Sequence, residues 1–119
     1  MVTHSFRQLR VWDRAHQLVL LIYRITTEFP QEERYGLISQ MRRAAVSVAA
    51  NIVEGYKRRG AKEKARFYNI AGASLEELRY YFILGDDLGF TNKGTQLEQE
   101  ADEIAGMLHR LIRKLGSSS

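Results

Sequence analysis

The chain has 119 residues, 45% of them hydrophobic, and carries 18 Lys and Arg against 14 Asp and Glu for a formal net charge of +4. That is enough chain for one buried core with little room for a second, so a single domain is expected. With no cysteine and one proline, a disulfide framework, a cysteine metal site and thiol chemistry are excluded, which fits a reducing cytoplasm. The longest apolar run, Leu18 to Tyr23, is far shorter than the ~20 residues of a bilayer span, and the N-terminus lacks the layout of a signal peptide. No membrane role and a cytoplasmic location are expected.

Four amphipathic stretches follow one another, with no strand-like alternation of useful length and no internal repeat. The first, about Gln8 to Glu28, is expected to bury Leu9, Trp12, Ala15, Val19, Ile22 and Tyr23, with Leu18 and Ile25 widening the face; Phe29 and Pro30 end it. After a short connection, the second runs from Leu37 to about Arg59 and stops at Gly60. The third, from near Lys62 to Leu88, is expected to present Phe67, Ile70, Ala71, Ser74, Leu75, Leu78, Tyr81, Phe82 and Gly85 on one face. For the fourth, Thr95 followed by Glu98 predicts a capping box, with Thr91 as the rival cap. Its Leu97, Ala101, Ile104, Leu108, Leu111 and Leu115 form a narrow seam. Short connections make successive helices antiparallel neighbours, so the expected fold is all-α, an up-down-up-down four-helix bundle. Residues 1–6 and 116–119 are expected to be loose.

The second helix is unusual because its polar residues line up. At roughly 100° per residue, Gln40, Arg43, Ser47, Asn51, Glu54 and Arg58 share one stripe, and nearly everything beside it up to Glu54 is apolar or small. A helix that is apolar on both flanks is covered on both. One flank faces the chain's own core, and the other calls for another copy of the chain. The stripe is then either a polar seam that fixes register or a working surface. No activated nucleophile or perturbed acid pair accompanies it, so a network reaching Ser74 or Glu77 on the third helix is expected, and no catalytic residue is assigned. Arg43 is the residue whose loss is expected to hurt assembly most. Gly55, inside a helix at a cost of about 1 kcal/mol relative to Ala, points to a packing or kinking requirement, and Ala44, Val48, Ala71 and Ser74 permit close approach of the two backbones.

Charge is concentrated at one elbow. Between Arg42 and Arg66 lie eight basic and two acidic residues, a net of +6, which leaves −2 for the remainder. Lys57, Arg58, Arg59, Lys62, Lys64 and Arg66 surround a helix end and a helix start, an arrangement suited to phosphate. The competing explanation is relief of the helix macrodipole and plain solvation. Tyr56 and Tyr68 flank the elbow and offer rings for unpaired bases, or simply cover the bundle's end. No cofactor or metal is expected: Asp13 and His16 stand alone at i,i+3, and the Glu-x-x-His pairs of di-metal bundles are missing.

The F-P-x-E-E-x-Y-G-L turn at Phe29 to Leu37, the Q-x-R-R-A-A-x-S stretch from Gln40, N-I-x-E-G from Asn51 and S-L-x-E-L from Ser74 carry a specific resemblance. Across Phe6 to about Leu115 the chain resembles the four-helix bundle family first noticed as reading frames in intervening sequences of bacterial large-subunit (23S) ribosomal RNA genes. The family pattern has a proline where this chain has Ala49, so a kink there is not implied. The resemblance implies a homopentamer. It also implies distant similarity to the accessory variability protein of diversity-generating retroelements, which binds a reverse transcriptase and nucleic acid. Two function classes follow: a non-enzymatic oligomer that presents the elbow to RNA or DNA, with such a polymerase as a candidate partner, and a protein-interaction scaffold that touches no nucleic acid.

Overall fold

A computed structural model describes residues 5–117. A 3-10 turn at Phe6–Gln8 leads into α1 (Arg10–Thr26), a second 3-10 turn at Gln31–Glu33 precedes α2 (Leu37–Lys57), and α3 (Ala61–Asp87) and α4 (Gly94–Ser117) complete the chain. Consecutive helices pack side by side and α1 meets α4, closing an all-helical four-helix bundle of 48 × 30 × 21 Å. Of the termini expected to be loose, residues 1–4 and 118–119 lie outside the described residues. Phe6 belongs to the first 3-10 turn and Gly116 to α4.

The core is a continuous layer from all four helices, with Ile22, Met41, Ile52, Leu75, Leu78, Phe82, Leu97 and Ile104 fully buried. In α1 the buried row is Val11, Ala15, Leu18, Ile22 and Thr26, one step around the helix from the expected face. Tyr23, expected inside, is 42% exposed and lies under the Arg42 guanidinium, 4.6 Å from its ring centroid. Arg42 also donates from Nε to Thr26 Oγ1 (2.9 Å) and from Nη2 to Tyr23 O (3.2 Å), fastening the end of α1 to α2. In α3 the buried row contains Tyr68 and not Phe67 or Ile70. A long helix with apolar residues around much of its girth offers several faces, and the space beside α2 selects among them. The α4 seam stands as expected: Leu97, Ala101, Ile104 and Leu108 are buried, and Leu111 and Leu115 pack against them.

The helix starts are built differently from the expected capping box. Because α4 begins at Gly94, Thr95 lies inside the helix. Asp86 of α3 reaches across to accept the Gly94 N–H (3.3 Å), while Thr91 Oγ1 accepts the Lys93 N–H (3.1 Å). Glu33 does the same service for α2, its Oε1 accepting the Leu37 N–H at 3.0 Å. These carboxylates satisfy otherwise free N–H groups at the positive end of a helix dipole. A Cβ on Gly36 would sit 2.8 Å from that Glu33 oxygen, so a side chain there would push the capping carboxylate aside. α2 runs through Ala49 without a break.

α2 and α3 approach most closely where Gly55 faces Tyr68. A Cβ on Gly55 would lie 2.5 Å from Tyr68 Cε1, and the tyrosine is only 3% exposed, so its ring has nowhere to go. Gly55→Ala is therefore expected to destabilise the fold by about 1–3 kcal/mol through overpacking, outweighing the ~1 kcal/mol that alanine gains in helix propensity. A urea midpoint equal to or above the native one would show that the ring contact does not constrain α2.

Candidate nucleic-acid interface and polar seam

The stripe on α2 forms a network with α3. Arg43 donates from Nε to Gln40 Oε1 (3.1 Å) and from Nη2 to Glu77 Oε2, which also accepts the Tyr81 hydroxyl (2.7 Å). One turn on, the Ser47 and Ser74 hydroxyls lie 2.8 Å apart, and Asn51 Nδ2 donates to Ser47 O (2.9 Å) and Oγ (3.1 Å). At the helix end Glu54 accepts from Arg58 at 2.8 Å. Of the expected crossings, Ser47 meets Ser74, whereas Asn51 bonds back within α2 and Glu77 is taken by Arg43. Within one chain the seam is only half covered: the side chains of Arg43 and Glu77 are 53% and 36% exposed. Beside it α2 leaves Ala50 exposed and Val46 42% exposed, and α3 adds Ile70 and Tyr80. The second apolar flank is only partly covered, with Val46, Ala49, Ala50 and Val53 lining an open groove against Phe6, Trp12 and Val19.

The three-residue elbow between α2 and α3 turns at Gly60, whose φ of 77° suits a residue without a Cβ. Its six predicted cations divide into two sets. Arg58 and Arg66 both lie over Phe67, at 4.6 and 4.5 Å from the ring centroid, and are paired with Glu54 and Glu63 respectively. Lys64 Nζ donates to Tyr56 O at 2.7 Å and Gly55 O at 3.4 Å, capping the last carbonyls of α2. Lys57, Arg59 and Lys62 are exposed and make no side-chain hydrogen bond or ion pair among the described residues. Tyr68 is buried against Gly55, so it is not a stacking platform for a base; Tyr56 stays at the rim beside the Lys64 ammonium.

Macrodipole relief accounts for some of these charges and not others. Lys57 in the last turn of α2 and Lys64 on its final carbonyls are well placed for a negative helix end. Lys62 sits in the first turn of α3, where a cation is disfavoured, and Arg59 lies in the connection. The field is positive: hydrogen bonding to Arg66 holds the Glu63 carboxyl below its usual range, with Arg58 and Lys62 acting in the same direction. The residues that sequence reasoning did not assign to the site are Phe67, the platform for two guanidiniums, and Tyr81, which donates to Glu77. The i,i+4 spacing of Glu77 and Tyr81 was the available signal; nothing local links Arg58 to Phe67. Among the described residues no group of three or more His, Asp and Glu is gathered as a metal site, and His16 stacks on Trp12 at 5.0 Å.

An all-helical bundle with a cross-helix polar seam and a basic elbow defines a structural class before it defines a function. The chain belongs to the family described as 23S rRNA-intervening sequence protein, whose model matches residues 7–110. Its fold is shared with a crystal structure of a protein of unknown function from the S23 ribosomal protein family of Bacteroides thetaiotaomicron, at 19% identity and a TM-score of 0.78 over 87% of this chain and 95% of that one. No curated protein matches the chain. Neither name specifies an activity. No helix among the described residues is long and apolar enough to cross a membrane.

The seam has a pH signature. The hydrogen bond to Glu77, with burial second, raises the Tyr81 pKa above the ordinary tyrosine value; burial, then Tyr56, raises that of Tyr68. A raised folded pKa contributes stability that is fully present below the unfolded value of about 10 and is lost as pH climbs through the folded one. Urea midpoints are thus expected to fall between about pH 9 and pH 11, and to fall less in Tyr81→Phe. An identical drop in the variant would mean that Tyr81 does not contribute.

Proposed function

We propose that the protein is a non-enzymatic, self-assembling bundle of the cytoplasm that binds RNA or DNA by neutralising phosphates at the α2–α3 elbow. The observation that carries this reading is the division of the elbow cations. Arg58, Lys64 and Arg66 are held by the fold, whereas Lys57, Arg59 and Lys62 are exposed, unpaired and, for Lys62, set against the helix dipole. Side chains kept in such a place without an internal partner suit an external anion. The Phe67 platform with its two guanidiniums stiffens the surface beside them. No base-reading element is evident, so the contacts position the ligand and sequence preference is weak.

Self-assembly is supported by the partly covered second flank of α2. Val46 and Ala50 on one side of the seam and Ile70 and Tyr80 on the other leave apolar surface beside a half-covered hydrogen-bond network, a composition that a second copy of the same face would bury. A closed ring, as the family resemblance implies, would repeat the elbow around its rim and multiply its field.

The test is binding of fluorescent mixed-sequence RNA as a function of salt, with the native chain and with Lys57→Ala, Arg59→Ala and Lys62→Ala combined. The native chain is expected to bind at low salt and weaken steeply as salt rises, and the triple variant to bind more weakly with a flatter log–log slope, by about 2 for three lost contacts to a single strand. Absence of native binding at low salt would favour a scaffold that contacts only protein, and unchanged binding in the triple variant would remove the elbow as the site.

A further inference from the structure

We infer that the elbow is one sector of a larger phosphate-binding cap formed by all four helices, with Arg7, Arg10, Arg110 and Arg113 as further contacts. This rests on the nucleic-acid reading above and extends it to elements far from the elbow in sequence.

The antiparallel order brings the start of α1, the end of α2, the start of α3 and the end of α4 to the same half of the bundle. That half, residues 5–17, 48–73 and 106–117, holds twelve Lys and Arg and only Asp13, Glu54 and Glu63 as acids, a net of +9. The other half, residues 18–47 and 74–105, holds six basic and eleven acidic residues, a net of −5. A chain whose total is only +4 is thus strongly bipolar along its length.

The acids of the positive half are largely committed, Glu54 to Arg58 and Glu63 to Arg66. The cations of α1 and α4 are largely uncommitted. Arg14 is tied down to Glu100 and Glu103; Arg7, which lies 6.0 Å from the Trp12 ring centroid, and Arg10, Arg110 and Arg113 are exposed with no ion pair among the described residues. With Lys57, Arg59 and Lys62 they make seven exposed cations without an ion pair at one end of a bundle 30 × 21 Å across, just under the ~34 Å of one duplex turn. The acidic half repels the same ligand, so a nucleic-acid backbone is held end-on.

The closing experiment uses the same mixed-sequence RNA, with salt varied between about 50 and 200 mM. Seven contacts to a single strand give a log–log slope of about −5 and three give about −2. Arg110→Ser with Arg113→Ser is expected to flatten the native slope by about 1.4, whereas Arg24→Ser with Lys93→Ser, on the acidic half, leaves it unchanged. Circular dichroism confirms that both pairs remain helical. A slope that responds to the elbow substitutions but not to Arg110 and Arg113 overturns the cap and leaves the elbow reading intact. Equal flattening by the Arg24 and Lys93 pair overturns end-on binding in favour of diffuse charge. No native binding at low salt overturns the underlying nucleic-acid reading itself.

Discussion

The close approach of α2 to α3 is the constraint on which the rest of this structure depends. Gly55 accepts the Tyr68 ring where any side chain would collide with it. Ala44, Val48 and Ala71 are completely buried along the same helix pair. With the backbones this near, the hydroxyls of Ser47 and Ser74 meet directly and the Arg43 guanidinium spans to Glu77. Packing sets the distance and polar groups set the register: sliding one helix by a turn against the other would break the pairings and drive a ring into a backbone. Individually the exposed ion pairs contribute little, between 0 and about 1 kcal/mol each. Their value lies in specifying one alignment among several that a small-residue interface permits.

That alignment also fixes the elbow. Because α2 ends within three residues of the start of α3, the position of Gly55 against Tyr68 determines where Arg58, Lys64 and Arg66 fall. Each finds an internal partner there: Glu54 and Phe67, the Tyr56 and Gly55 carbonyls, and Glu63 with the same Phe67 ring. Half of the basic cluster is therefore spent on shaping the turn. The remainder faces outward without an ion pair, Lys57 beside the negative end of α2 and Arg59 and Lys62 without even that role, and that division, more than the number of charges, is the physical basis for a ligand-binding reading.

Much of this was legible in the sequence. Four helices and their punctuation followed from period and breakers, and the polar stripe on α2 led to Ser74 and Glu77 because a 100° step per residue is insensitive to small boundary errors. The motifs that mark the family also have local physical reasons: Glu33 caps α2, Gly36 leaves room for that carboxylate, and Gly55 leaves room for Tyr68. What escaped was decided between helices. The buried face of α1 is turned toward Val11 and Thr26 and away from Tyr23, and α3 buries Tyr68 in preference to Phe67, since each face was apolar enough to be buried and only the facing helix chose. The α4 cap came from Asp86, a residue of another helix, which no local spacing announces. The bipolar charge emerges only when antiparallel topology gathers Arg7, Arg10, Arg110 and Arg113 beside the elbow.

In the proposed assembly the half-covered seam and its apolar borders form the interface between copies, leaving the basic end free for a ligand. Light scattering on the chromatographed protein addresses this most directly, comparing the native chain with Val46→Glu and Arg43→Ala. The account predicts a native mass several times the 13.7 kDa of one chain and a shift toward 13.7 kDa in both variants, with helical content retained. A native protein that elutes as a 13.7 kDa monomer at micromolar concentration would contradict it.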